Sequence, residues 1–192
     1  MRRAFTLLEL LLVVLVMGIL ASIVLAEFQP NLQNQLESVA QITVSELDVA
    51  RALATSFGSK YKVGFDKTQN RLVIEHSGTS ASLNTLPPNP FQSPGSSATQ
   101  RVTDFDDLPQ LGAKVKIQRT VTVTSSWTDV TEVEFGPLGA TTASAPTTIW
   151  LTAGSGMNQR YLPITIDPVT GVASTGNTTT LTPTAPAGTN GS

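Results

Sequence analysis

The hydrophobic pattern divides the chain into three stretches. From Phe5 to Ala26 nearly every residue is Leu, Val, Ile, Ala, Met or Phe, with Thr6, Glu9, Gly18 and Ser22 the exceptions. A helix over those 22 residues is apolar on all sides. At 1.5 Å per residue it reaches about 33 Å, enough to cross a hydrocarbon core of about 30 Å. Arg2 and Arg3 precede the run and, by the positive-inside bias, hold the N-terminus in the cytoplasm. A cleaved secretory signal has a shorter apolar core, and although small residues at the far end (Ala21, Ser22, Ala26) leave that alternative open, it does not explain Glu9. A carboxylate in an apolar segment costs about 2.5–3.5 kcal/mol at the helix centre, less near the edge, and usually has a partner. Beyond Ala26 the chain turns polar, yet Leu36, Ala40, Val44, Leu47, Ala50, Ala54 and Phe57 recur every three or four residues. That spacing predicts an amphipathic helix, with a kink at Pro30 and a stop at Gly58. One helix over 5–57 is expected, its second half packed on a head domain.

After Gly58 the period changes to two. KYKVGF (60–65) and RLVIEH (71–76) flank the turn residues Asp66 to Asn70, a hairpin. Further strands are expected at 113–124, 130–135, 147–153, 160–166 and 172–174, separated by Gly136, Pro137, Gly139, Gly154, Gly156 and the turn DPVTG at 167–171. Residues 77–101 and 175–192 are rich in Ser, Thr, Asn, Pro and Gly, and read as a long exposed loop and a tail.

Composition narrows the chemistry. Apolar residues make up 40% and charged residues 14%, which disfavours a disordered polyelectrolyte. The 12 Lys and Arg against 14 Asp and Glu leave a net charge of −2, too little positive charge for a strongly basic nucleic-acid binder. The absence of Cys excludes disulfide frameworks, thiolate metal sites and Cys nucleophiles. His76 is the only His, and it has no carboxylate motif around it. Asp104, Asp106 and Asp107 are the best oxygen-ligand cluster, but their spacing is not that of an EF-hand loop, so solvated loop acids are expected. Lys60, Lys62, Lys114, Lys116 and Arg119 could line a basic strand face, yet no basic residue follows Arg160, and a nucleic-acid partner is not expected. No catalytic residue, cofactor or metal is expected.

The string RRAFTLLELLLVVLVMGILASIVL resembles the N-terminus of type IV prepilins and type II secretion pseudopilins: a short basic leader, a small residue, Phe, then Glu at the fifth mature position. The resemblance implies cleavage between Ala4 and Phe5 by a prepilin peptidase, N-methylation of Phe5, and an assembly role for Glu9, which would attract the terminal amine of a neighbouring subunit. Two departures are Ala4, where the family usually has Gly, and Ala26, where it often has Pro. ELDVARALATSFGSKYKVGFD, EFGPLGA (134–140) and ITIDPVTGVAS (164–174) are similar to elements of the GspH/FimT-type minor pilins. Arg51, within the first of these, is expected to be a helix-end cation or a salt-bridge donor. The implied fold is α+β: a long N-terminal helix packed on an antiparallel sheet or sandwich head. The implied division is a leader (1–4), a transmembrane and assembly helix (5–26), the amphipathic half of that helix (27–57), a β-rich head (58–174) and a C-terminal tail (175–192). The implied function is that of a structural subunit, not an enzyme, which inserts in the bacterial inner membrane with its head outside and joins or initiates a pilus or pseudopilus. Its partners would be the peptidase, other pilin subunits through the N-terminal helix, membrane lipid and the inner-membrane assembly platform. The alternative is a pilin whose head binds DNA or another ligand during natural transformation.

Overall fold

The computed structural model describes residues 7–27, 31–89, 97–108 and 114–184, without the side chains of 21–27. The chain forms two compact units, Met1–Asn31 and Leu32–Ser192. The first holds helix α1 (Leu7–Glu27), whose described side chains, from Leu7 to Leu20, are all exposed. Among the described residues no helix is long and apolar enough to cross a membrane. The described side chains of α1 fall short of the about 20 apolar residues that a span requires. Ala4, Phe5, Pro30 and the expected continuity of the helix through residues 28–30 lie outside the described residues.

The second unit opens with α2 (Leu32–Phe57). Its buried stripe is Leu36, Val39, Ala40, Thr43, Glu46, Leu47, Ala50 and Ala54. Two expected members fall off it: Val44 is half-buried, and Phe57, at the helix end, is 53% exposed. At 100° per residue the line through 36, 40, 43, 47, 50 and 54 stays on one face, whereas 44 and 57 drift to its edge. Gly58 at φ +57° ends the helix, and Ser59 N–H donates to the Ala54 carbonyl at 3.1 Å, the 6→1 bond of a left-handed C-cap.

Among the described residues nine antiparallel strands follow: β1 (Tyr61–Asp66), β2 (Arg71–His76), β3 (Gln100–Asp104), β4 (Lys116–Val123), β5 (Trp127–Asp129), β6 (Glu132–Phe135), β7 (Thr147–Ala153), β8 (Arg160–Ile166) and β9 (Ala173–Thr175). They make a four-stranded sheet in the order β3-β2-β1-β6 and a five-stranded sheet in the order β5-β4-β7-β8-β9. Helix α2 packs on β1 and β6 of the first sheet and on β7, β8 and β9 of the second. The shared core includes Leu36, Leu47, Phe105, Phe135, Ile149, Leu151, Leu162 and Ile164. The molecule is therefore α+β, with a helix set against antiparallel sheets.

Three expectations change. The strand expected at 130–135 is β6 (Glu132–Phe135) alone, and just before it an unexpected strand, β5 (Trp127–Asp129), lies on the other sheet. Val130 N–H donates to Thr120 of the second sheet at 3.0 Å, and the next carbonyl, Thr131, accepts from Phe65 of the first at 2.7 Å. The crossing breaks the period of two, since Val130 and Val133 are three residues apart with Thr131 and Glu132 both exposed between them. Residues 77–101 are not wholly an exposed loop: Leu86, Asn89 and Arg101 are buried, and β3 begins at Gln100. Beyond β9, Thr179 and Tyr161 exchange backbone hydrogen bonds at 2.8 Å, so this part of the expected tail runs along the sheet edge.

Asn70 ties the β1–β2 hairpin to the second sheet. It sits at φ 50°, a left-handed conformation that Asn tolerates. Its Nδ2 donates to Asp106 Oδ1 (3.0 Å) and to the Val115 carbonyl (2.8 Å), while its Oδ1 accepts from Ile117 N–H (3.0 Å). Replacing it with Ala leaves buried groups unpaired and keeps the strained φ, and is expected to cost about 3 kcal/mol. Urea unfolding of Asn70→Ala and Asn70→Asp against wild type measures this. An aspartate at this position keeps the acceptor for Ile117 but sets a buried carboxylate against two acceptors, Asp106 Oδ1 and the Val115 carbonyl, so Asn70→Asp should be at least as destabilising as Asn70→Ala; equal stability of all three would show that the network contributes nothing.

Candidate functional site

Helix α1 offers an apolar rod with a carboxylate in its first turn. Leu7, Leu10, Leu11, Val14 and Leu15 recur at spacings of three and four along one side, and the remaining sides are as apolar. Leu7, Leu8 and Met17 are 83%, 74% and 66% exposed, an apolar surface far too continuous to face water. Glu9 lies in the first turn, where the positive end of the helix dipole favours an anion. Chemically the arrangement can do two things: enter an apolar phase, and present a negative charge near the end that enters.

Sequence reasoning missed a buried ion pair in the head. Arg101 Nε and Nη2 donate to Glu46 Oε2 and Oε1 at 2.7 and 2.8 Å. The side chains are only 8% and 4% exposed. Arg101 Nη1 also donates to the carbonyls of Pro87 (3.2 Å) and Pro88 (2.7 Å), so one guanidinium joins α2, β3 and the proline segment. A signal existed: Glu46 falls on the buried stripe of α2, where a carboxylate demands a partner.

Arg51 is not in the last turn of α2, and its buried Nε has no hydrogen-bond partner among the described residues. It packs instead on two glycine turns. Gly139 and Gly171 have φ +83° and +65°; a Cβ on Gly139 would lie 3.3 Å from Arg51 Nε, and one on Gly171 would lie 1.9 Å from the Gly139 carbonyl oxygen and 3.2 Å from Arg51 Cδ. The three segments carrying the second resemblance thus meet at one place. The turn is held by Asp167 Oδ1, which accepts from Val169 N–H (3.0 Å), Thr170 N–H (2.8 Å) and Thr170 Oγ1 (2.9 Å). The hydrogen bonds from Thr170 draw its carboxyl below the usual range.

His76, at the end of β2, lies in a relay. Ser59 Oγ is 2.7 Å from His76 Nε2, and His76 Nδ1 is 2.8 Å from Asn84 Oδ1. A hydroxyl, an imidazole and an orienting amide in that order are the parts of an activated nucleophile. The surroundings argue otherwise. Ser59 follows the C-terminal end of α2, where unpaired carbonyls rather than N–H groups face an incoming oxyanion. A Cβ on Gly78 would lie 2.2 Å from Ser59 Oγ, so backbone closely backs the hydroxyl. The relay pins the end of α2 to β2 and residue 84.

The basic residues do not make one face. Lys60 and Lys62, on or beside β1, pair with Glu134 (2.9 Å) and with Glu75 (3.1 Å) and Glu132 (3.7 Å). Lys114 faces Asp106 at 3.7 Å, and Lys116 and Arg119 belong to the other sheet. Burial pushes the Glu134 carboxyl up, but hydrogen bonds from Lys60 and Ser77 outweigh it and hold it below its ordinary value. Of the acid cluster, Asp104 Oδ1 accepts from Asp106 N–H at 2.8 Å and Asp106 accepts from Asn70. Among the described residues no group of three His, Cys, Asp or Glu could hold a metal ion.

No family model and no curated protein matches the chain. Among solved structures it is similar to the type IV minor pilin FimU of Pseudomonas aeruginosa, at 17% identity and a TM-score of 0.44 over 74% of this chain and 93% of that one. It is also similar to the minor pseudopilin EpsH from the type II secretion system of Vibrio cholerae, at 13% identity and a TM-score of 0.47 over 76% of this chain and 95% of that one. The likeness is one of outline. Function is read from this chain's own residues.

Proposed function

We propose that this chain is a minor type IV pilin or type II secretion pseudopilin: a structural subunit, not an enzyme, that is inserted in the inner membrane and then drawn into a filament or its initiating tip. The observation that carries the reading is the N-terminal string, in which Arg2, Arg3 and Ala4 precede Phe5 and an apolar helix bears Glu9 in its first turn. An apolar rod exposed on every described side is stable in lipid and equally stable against other such rods, which is what a subunit moving from membrane to filament needs. Cleavage between Ala4 and Phe5 by a prepilin peptidase would place a new ammonium about 6 Å along the axis from Glu9, and an opposite charge on a neighbouring subunit is the natural match. The assembly platform and other pilins are its partners. The DNA-binding alternative has little support, since Lys60, Lys62, Lys114 and Arg119 pair with carboxylates and, of the expected basic face, only Lys116 has no ion-pair partner among the described residues.

Mass spectrometry of membrane-extracted protein tests the processing step. The expected first residue is N-methylated Phe5. A terminus at Met1, or one near residue 27, would remove the prepilin reading.

A further inference from the structure

The chain has two tryptophans, and the fold brings both to the outer face of the second sheet. On β7, Ile149, Leu151 and Ala153 enter the core, which leaves Thr148, Trp150 and Thr152 on the opposite side. Trp150 stands opposite Arg119 of β4 and Pro163 of β8, and on β5 Trp127 and Asp129 stand opposite Val123 and Val121. The two indoles lie 6.1 Å apart between centroids with their planes at 34°. Neither is in the main core, nor is Val121, which is fully buried on this face. The Arg119 guanidinium lies 5.4 Å from the Trp127 ring centroid and forks onto Asp129, with Nε to Oδ1 at 2.7 Å and Nη2 to Oδ2 at 3.0 Å, in an exposed position. Beside the indoles, Thr148 Oγ1 and Thr165 Oγ1 are 3.3 Å apart. Trp150 Nε1 is out of solvent and donates to nothing among the described residues.

Two adjoining half-buried indoles, tilted 34° to each other, give a shallow apolar floor for the C–H faces of pyranose rings. A forked guanidinium–carboxylate pair at its edge supplies a donor and an acceptor side by side, which neighbouring sugar hydroxyls match. The charge balance selects further. Exposed Lys116, opposite Thr152 on the same face, has no carboxylate partner among the ion pairs of the described residues, and the Lys67 charge acts on Asp129 from the rim. With Arg119 neutralised by Asp129, the patch is net positive. Nucleic acid suits it less well: stacking would be available, but a phosphodiester only accepts hydrogen bonds and leaves the Asp129 carboxylate unmatched, whereas a sugar hydroxyl donates to it.

We infer that the outer face of β4, β5, β7 and β8 is a binding site for an acidic polysaccharide, with sugar rings on Trp127 and Trp150, hydroxyls on Arg119 and Asp129, and a carboxylate at Lys116. The site is built from residues of the second unit alone and stands whether or not the chain enters filaments.

Both tryptophans report on the site, so indole fluorescence of the full chain in detergent micelles, titrated with hexagalacturonate, reads binding directly. A saturable change is expected, with chitohexaose weaker and oligodeoxythymidine weaker still. By calorimetry Trp127→Ala should lower the affinity about ten-fold or more, Trp127→Phe should retain most of it, and Lys116→Gln should weaken hexagalacturonate but not chitohexaose. Trp127→Phe preserves the half-buried ring, so its behaviour separates loss of the site from loss of the fold. Absence of a saturable signal, wild-type affinity in Trp127→Ala, or tighter binding of oligodeoxythymidine than of hexagalacturonate would each overturn the proposal.

Discussion

Arg101→Met is expected to destabilise the head by about 3–5 kcal/mol, because it leaves the Glu46 carboxylate buried without its counter-charge. It also frees the Pro87 and Pro88 carbonyls from their donor, so the segment before β3 loses its attachment to α2. Chemical denaturation followed by far-UV circular dichroism measures the effect as a lower midpoint at unchanged slope. The second half of the expectation is that Glu46→Leu combined with Arg101→Met recovers much or all of the loss, since well-packed apolar groups replace a buried ion pair at little or no net cost. Recovery would locate the penalty in the orphaned charge. A double variant as unstable as Arg101→Met would instead locate it in the lost proline contacts, and a fully stable Arg101→Met would show that the pair is solvated in solution.

Glu9→Gln and Glu9→Leu are expected to reach the membrane and be cleaved normally, yet to enter filaments at a level lower by about ten-fold or more. Insertion should be unchanged or slightly better, because both substitutions remove the cost of taking a carboxylate into an apolar phase. Assembly is where the charge matters: a neighbour's terminal ammonium, moved into the low-dielectric centre of a bundle, loses its match, and an uncompensated buried charge costs several kcal/mol. The measurement is the ratio of variant to wild-type protein in sheared filament fractions at equal membrane abundance. Ratios near one for both variants would reduce Glu9 to a residue that merely suits the start of α1.

Much of the head was legible because its strands are short, alternate cleanly and are separated by glycine and Asx turns. β1, β2, β7 and β8 lie within a residue of where the pattern puts them. β3 was hidden by composition: QRVTD offers one strong apolar residue, and its burial comes from pairing with β2, which is a tertiary property. The crossing at Val130 leaves one trace in the sequence, the three-residue step from Val130 to Val133, within a run whose residue types all suit a single strand. Of the candidate site, Glu9 could be read because a charge in an apolar run has no local excuse. Glu46 sits in an amphipathic helix rich in polar residues, so only its position on the stripe marks it. Trp127 and Trp150 are 23 residues apart in sequence, and nothing local says that β4 lies between them, holding both to one face.

The pairing of β1 with β6 dictates an order of events. Tyr61 aligns with Phe135, so the first sheet cannot close until the whole intervening chain, including β3, β4 and β5, is present. The second sheet grows mostly from neighbours in sequence, through β7, β8 and β9. If the N-terminal helix is held in a membrane while the rest of the chain emerges on the far side, α2 and the β1–β2 hairpin must wait with their apolar face uncovered until β6 arrives and the later strands supply the remainder of the core. Closing so long a loop is slow relative to local hairpin formation, and the half-made head exposes a strand edge in the meantime. The interval between emergence of the first hairpin and arrival of β6 is thus the period in which this subunit is most open to chaperones, proteases and mispairing with its own kind.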